Sequence, residues 1–138
     1  MSLMDVLENA VLDEMLGASA TLFGASVDIA LSTTTPTDAG GNITEPNAGY
    51  GYARVSVTNN GTEWPAASSG EKKNANTILF AQASGGAWGD VTHFVIYDGA
   101  TPKIWGALDN GAGTPTPRTI ADGDQFRFLA NQLRITID

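Results

Sequence analysis

The sequence predicts an all-β fold, a mostly antiparallel β-sandwich or jelly roll, with one α-helix at the N-terminus. Short stretches after residue 17 alternate hydrophobic and polar residues, which is the period of a strand. Turns rich in Gly, Asn and Asp separate these stretches, and no helical segment connects them, which argues against a parallel α/β sheet. The 138 residues suit one domain. We therefore predict a single domain 1–138, with the helix in 1–17 and the sandwich in 18–138.

The one convincing helical pattern occupies residues 2–16. Its hydrophobic residues recur at helical spacing: Leu3, Met4, Val6, Leu7, Ala10, Val11, Leu12, Met15 and Leu16. Ser2 can cap this helix, with Asp5 three residues later in a capping-box arrangement, and Gly17 is placed to end it. We expect the apolar band to pack on the domain's own strands. Packing against another copy or against a partner is the alternative.

Eight stretches carry the strand pattern: 21–23, 27–31, 52–58, 76–81, 91–97, 103–108, 125–129 and 133–137. The stretch 91–97 is apolar on both sides, as expected at the centre of a sheet. The stretch 52–58 alternates two sets of residues: Ala53, Val55 and Val57 against Tyr52, Arg54 and Ser56. The residues expected in the core are Phe94, Ile96, Phe126, Phe128, Ile135 and Ile137.

Turn residues mark the connections between the strands. The clearest turn signals lie at 59–61, 84–86, 98–99 and 122–124. The connection 32–49 is longer than is usual in a compact domain and contains three consecutive threonines, two prolines and the pair Gly40-Gly41. Its length predicts a functional or partner-ordered loop.

Composition and charge exclude several classes of partner. Hydrophobic residues make up 42% of the chain, which excludes global disorder, and the net charge is −8. Residues 1–53 contain seven acids and no Lys or Arg, whereas eight acids and seven bases follow. An acidic chain repels phosphate backbones and lacks the basic patch that anionic membranes attract, so we predict neither nucleic acid nor membrane as a partner. No apolar run is long enough for a membrane span, and no basic secretion signal begins the chain.

The residues that usually carry chemistry are scarce. The chain has no Cys, so disulfides, thiolate nucleophiles and Cys-based metal sites are excluded. Its one histidine, His93, lies in a predicted central strand and is expected to be a packed residue donating to a carbonyl. The acidic turns at 109–111 and 122–124 lack the ligand ladder of a calcium loop. The glycine pairs form no phosphate loop, and we assign the two Asn-x-Thr matches at Asn42 and Asn60 to chance. We predict no enzyme, no catalytic, cofactor-binding or metal residue, and no cofactor.

The three tryptophans leave two interpretations open. Trp64, Trp88 and Trp105 each stand next to Pro or Gly, which suggests strand ends. Each can close an end of the sandwich with its indole N–H bonded to a loop, which is the favoured interpretation. An aromatic platform for sugar or protein is the alternative.

Several motifs, in order along the chain, resemble a family of small tailed-phage proteins described as tail-fibre-like or virion structural proteins. They are the spaced Leu7, Leu12, Leu16 and Gly17, ALSTTTPTD at 30–38, GYARVSVTNNGTEWP at 51–65, WGDVTHFVIYD at 88–98, WGAL at 105–108 and DGDQFRFLANQLRITID at 122–138. The family commonly has a Gly-Gly or Gly-Asn turn before WGAL, whereas Ala100-Thr101-Pro102 stands here. The resemblance implies a β-sandwich subunit of the virion with no known chemistry.

The leading hypothesis is therefore a capsid decoration protein that binds and reinforces the capsid surface as a homo-oligomer, a trimer being favoured by capsid three-fold positions. Its partners would be the major capsid protein or tail proteins, and assembly would take place in the host cytoplasm. A tail or tail-fibre component is one alternative. A carbohydrate-binding module for host recognition, built on a tryptophan, is the other.

Overall fold

The computed structural model describes residues 5–17 and 22–137, with the backbone alone for 5–8 and 10. These residues form one α-helix, α1 (Asp5–Met15), and a 3₁₀ turn at Ala48–Tyr50. The strands are β1 Ser26–Ser32, β2 Val55–Thr58, β3 Glu71–Lys73, β4 Ile78–Gln82, β5 Gly89–Val91, β6 His93–Asp98, β7 Thr101–Ala107, β8 Arg118–Ile120, β9 Gln125–Phe128 and β10 Arg134–Thr136. The all-β class with a single N-terminal helix is confirmed.

The predicted elements differ from the observed ones at a few identifiable places. Leu22 and Phe23 form a bend, so the strand expected at 21–23 is wrong for these two residues, and Thr21 lies outside the described residues. Thr92 divides the stretch 91–97 into β5 and β6. Strands β3 and β8 went unpredicted because both are three residues long and mostly polar. Ser2 also lies outside the described residues, whereas Gly17 follows the helix with a φ of 103°, as its predicted terminating role requires.

The largest sheet has the strand order β2-β1-β6-β7. Strand β6 runs antiparallel to both neighbours, and Val95 lies opposite Ala30 on one side and Trp105 on the other. The four residues from Phe94 to Tyr97 are all buried, which confirms the prediction that this stretch is central. The remaining sheets have two strands each: β3–β10, β4–β9 and β5–β8. The choice between sandwich and jelly roll stays a prediction.

The chain divides into two compact units, each made of separate segments. The first contains the described parts of 1–27, 57–78 and 128–138. In it, the predicted packing of α1 on its own strands is found, because Leu12 and Leu16 are buried and the helix contacts β3. Polar bonds fix the helix as well, since the Asn9 side chain accepts from the Gly70 amide at 2.8 Å. The prediction of a single domain 1–138 remains a prediction.

Lys72 on β3 is a charged side chain in the interior of the first unit. Its side chain is 2% exposed, and its ammonium lies 2.7 Å from Asp13 on α1. The same Asp13 oxygen accepts from the Ala67 amide at 2.6 Å. The helix is thus bonded to the strand region by a carboxylate that neutralises a buried cation.

The second unit contains residues 28–56 and 79–127 and holds most of the aromatic core. Tyr52 stacks on Phe80 with 6.3 Å between ring centroids and meets Trp88 edge-on at 5.3 Å. The alternation expected for 52–58 is therefore wrong at its start: Tyr52 is buried and Ala53 exposed, and the strand begins only at Val55. Tyr52 precedes β2 and takes no part in its backbone pairing. Its ring therefore need not follow the alternation of the strand and can point into the core.

The predicted core residues are buried, with one exception. Phe94, Ile96, Phe126, Phe128 and Ile135 are each at most 8% exposed. Ile137 follows the end of β10 and is only partly buried.

Removing the Asp13 charge should destabilise the first unit. Asp13→Asn leaves the Lys72 ammonium buried without a carboxylate, so the free energy of unfolding should fall by about 1–3 kcal/mol in urea titrations. Adding Lys72→Met removes the uncompensated charge and should recover part of the loss. A double variant no more stable than Asp13→Asn alone would contradict this role for the pair.

The same pair predicts an acid dependence. Burial by itself raises the pKa of Asp13, but bonds from Lys72 and Ala67 outweigh it and hold the pKa below its ordinary value. A lowered pKa contributes stability above the unfolded-state pKa of about 4, and this contribution is lost as the pH falls through the folded-state value. Below about pH 4 the thermal midpoint of the wild type should therefore fall more steeply than that of Asp13→Asn.

Candidate functional site

Loop 32–49, which follows β1, folds over one face of the four-stranded sheet. That face bears the buried residues Ala30, Val95 and Tyr97, and Ile43 from the loop packs against them. Both faces of β6 are thereby removed from water. Among the described residues, the part of this face around Val95 is covered by Ile43 of the loop.

The hydroxyl groups of loop 32–49 determine its shape. The fully buried Ser32 hydroxyl donates to the Thr34 carbonyl at 2.8 Å and accepts from the Thr44 amide at 3.2 Å. The Thr33 amide donates to the Thr44 carbonyl at 2.9 Å. The Thr34 hydroxyl donates to the carbonyl of Asn42, a residue with a φ of 54°. The loop predicted to be functional or partner-ordered is therefore held in place by its own side chains.

Glu45 binds the end of this loop to the strand region that follows. Its carboxylate accepts from the Tyr52 hydroxyl at 2.9 Å and from Arg54 through both Nε and Nη2. The Tyr52 oxygen in turn accepts from the Leu31 amide at 3.0 Å. Burial raises the pKa of Tyr52 far above its usual value, so the phenol keeps the proton that it donates.

Arg54 adds a contact on the same face of the sheet. Its guanidinium lies 3.6 Å from the centroid of the Tyr97 ring, a cation–π arrangement. The bonds to Glu45 raise the pKa of Arg54 above its already high value. Sequence reasoning missed this pair. The sequence does contain a signal for it. Arg54 is the first base after seven acids, and a guanidinium can bind a nearby carboxylate through two N–H groups, which predicts an ion pair with one of these acids.

Trp105 lies at the exposed edge of the same sheet. Its strand, β7, is the last in the order β2-β1-β6-β7 for the part of the chain described. Trp105 is 38% exposed. The centroids of the Trp105 and His93 rings lie 5.7 Å apart, and the ring planes are inclined by 59°. The prediction that Trp105 stands at a strand end is wrong, because β7 runs from Thr101 to Ala107.

The other two tryptophans are buried. The Trp88 indole N–H donates to the Tyr50 carbonyl at 2.9 Å, the loop bond that was predicted. Trp64 is fully buried, and its N–H has no acceptor among the described residues. Of the three, Trp105 alone is exposed, so it is the one that could act as an aromatic platform.

His93 is the first residue of β6 and is only partly buried. Its Nδ1 lies 2.7 Å from the Thr92 hydroxyl, so the predicted carbonyl partner is wrong. Burial lowers the pKa of His93, which keeps the ring neutral near pH 7. The half-exposed position follows from the break at Thr92, which places His93 at the end of the central strand.

The acidic turns use their carboxylates to bind backbone. Asp122 accepts from the Gly85 amide at 3.0 Å, Asp124 from Ala121 at 2.9 Å, and Asp109 from Gly111 at 2.8 Å. Within the described residues, no group of three or more His, Cys, Asp or Glu could hold a metal ion. No described helix is long and apolar enough to cross a membrane. The absence of catalytic, cofactor-binding and metal residues stays a prediction.

The described residues form an all-β fold in which Trp105 is exposed at the edge of the four-stranded sheet. Residues 2–136 match the family model described as podophage GP4 fiber I protein gp80, and the chain belongs to this family. It is thus a tail-fibre-like virion structural protein of phage, which confirms the resemblance seen in the sequence. No curated protein matches the chain. The family supports the fibre alternative better than capsid decoration.

Loss of the Glu45 carboxylate should loosen loop 32–49. Glu45→Ala removes the acceptor of both Tyr52 and Arg54, so we expect the amides of Thr33 and Thr44 to exchange with deuterium faster. Stability should fall by about 1–3 kcal/mol, since the bonds are charge-assisted. Glu63→Ala is the matched control, because Glu63 accepts a side-chain bond from the exposed Asn76 outside this loop. Equal exchange rates in the wild type and Glu45→Ala would show that the threonine bonds suffice.

Proposed function

We propose that this protein is a non-enzymatic component of a podophage fibre, assembled in the host cytoplasm together with other virion proteins. The observation that carries the proposal is the family match, which spans residues 2–136 and therefore both compact units. A fibre component must keep its shape and present a surface. Loop 32–49, bonded internally and covering the sheet, is consistent with that demand.

The non-enzymatic part of the proposal is supported by how the polar residues are used. The His93 ring meets a threonine hydroxyl and a tryptophan ring, so no charge-relay pair is assembled there. The carboxylates of Asp109, Asp122 and Asp124 accept from backbone amides in turns. These groups serve the fold.

Association into a homo-oligomer is part of the proposal as well. An edge strand such as β2, the first in the order β2-β1-β6-β7, presents backbone groups to its surroundings and is commonly covered by a neighbour. The low charged fraction of 16% also suits a protein with permanent neighbours. The preference for three copies rested on capsid three-fold positions. A fibre location does not supply capsid three-fold positions. We therefore propose association into a homo-oligomer without a stated copy number.

Labelling of intact particles tests the location. A gold-conjugated antibody against this protein should bind at the tail fibres in electron micrographs, and an antibody against the major capsid protein should mark the head as the control. Label spread over the head surface would overturn the fibre proposal in favour of capsid decoration.

A further inference from the structure

We propose that Trp105 and His93 form a stacking site for one sugar ring of a host-surface polysaccharide. Trp105 is 38% exposed, and the centroids of its ring and of the partly buried His93 ring lie 5.7 Å apart with 59° between the ring planes. A pyranose has an apolar C–H face that can lie on an indole and hydroxyl groups at its rim. The assignment of the sugar to a host rests on the proposed fibre function, whereas sugar binding itself rests on these two side chains.

His93 supplies the polar half of the site. Its Nδ1 is engaged by the Thr92 hydroxyl at 2.7 Å, and Nε2 has no hydrogen-bond partner in the described part of the chain. In a neutral imidazole one nitrogen donates and the other accepts, so Nε2 is an acceptor in one tautomer and a donor in the other. A sugar hydroxyl both donates and accepts, so it matches Nε2 in either tautomer.

The surroundings of Trp105 favour a small polar ligand over a protein partner. Trp105 is the one large hydrophobic side chain that is exposed among the described residues of the four-stranded sheet. A protein interface needs a contiguous patch of several hundred Å² on each partner. An isolated aromatic ring beside a polar one has the dimensions of a single sugar.

The edge of β7 is also protected against an added strand. Pro102 has no N–H to donate, and Lys103 is exposed on the strand. The register between β6 and β7 shifts between Ile96 and Tyr97, where Ile104 lies opposite Ile96 and Pro102 lies opposite Tyr97. These features disrupt the regular ladder that a docking strand requires. A ligand that binds at β7 is therefore expected to contact the side chains of this strand and not its backbone.

The residues next to the site are held by side-chain packing and by a backbone hydrogen bond. Val95, opposite Trp105, is buried under Ile43 of loop 32–49. Thr92 is fixed as well, because its amide donates to the Ser32 carbonyl at 2.9 Å. A rigid site loses little conformational entropy when a ligand binds, which makes weak single-ring binding measurable.

Fluorescence quenching of the full chain tests the proposal directly. Trp64 and Trp88 are at most 4% exposed, so quenching by acrylamide reports mainly on Trp105. D-glucose, D-galactose, L-rhamnose and N-acetyl-D-glucosamine serve as probes. At least one should protect Trp105 in a saturable way, with a Kd on the order of 1 mM, as expected for about a dozen non-hydrogen atoms. The acyclic polyol D-glucitol has hydroxyl groups but no ring face, and it should not protect.

Variants assign the binding to the two side chains. In saturation-transfer NMR of the protecting sugar, Trp105→Ala should abolish the signal and Trp105→Phe should retain it at reduced strength. His93→Ala should weaken binding several-fold, and His93→Gln, which keeps a polar group, should weaken it less. Leu79→Ala is the control because Leu79 is 48% exposed and lies on β4. Circular dichroism checks that each variant is folded.

The possible outcomes separate the competing explanations. Protection by none of the four sugars, or binding that survives Trp105→Ala, overturns the proposal. A wild-type protein whose fluorescence resists acrylamide without sugar also overturns it, because a neighbouring copy then covers Trp105. Sugar binding by a protein that labels the capsid head would leave the site standing and overturn the fibre function. Fibre labelling without sugar binding would do the reverse.

Discussion

The burial of β6 on both faces is the constraint on which the second unit depends. An antiparallel sheet often leaves one face in water, but Phe94 to Tyr97 are apolar throughout, so both faces need a cover. The described part of this unit contains no α-helix, and loop 32–49 provides the cover on the side of Val95. Backbone amides and carbonyls near an apolar surface need partners, because little water reaches them. The serine and threonine hydroxyls of the loop provide those partners, which is a physical reason for so many hydroxyls in this connection.

Local periodicity was enough to predict the class of fold and most strands. It succeeded where strands are long and apolar, as at β1 and β6, and it failed where tertiary contacts decide. Strand β3 reads as three polar residues, and its middle residue, Lys72, is buried because a distant carboxylate, Asp13, neutralises it. Tyr52 looked like the outward residue of an alternating strand, but it turns inward because Phe80 and Trp88 lie there. Neither neighbour can be deduced from the sequence around Tyr52.

The candidate site shows a similar limit. Sequence identified Trp105 and His93 separately, one as a possible platform and the other as a packed residue. Their approach depends on the pairing of β6 with β7, including the register shift near Tyr97, and such irregularities are not encoded in periodicity. The location on the particle is harder to predict than the fold, because a fold of this kind can occur in a head protein or in a fibre protein. The family match supports a fibre location better than capsid decoration.

The hydrogen bonds that shape loop 32–49 determine how its conformation responds to salt. Nearly all join neutral groups, namely hydroxyls, amides and carbonyls, and the pair Glu45–Arg54 is the ionic exception among those described. Salt weakens exposed ion pairs, but it has little effect on short hydrogen bonds between uncharged groups. We therefore expect loop 32–49 to keep the same conformation at low and at high salt.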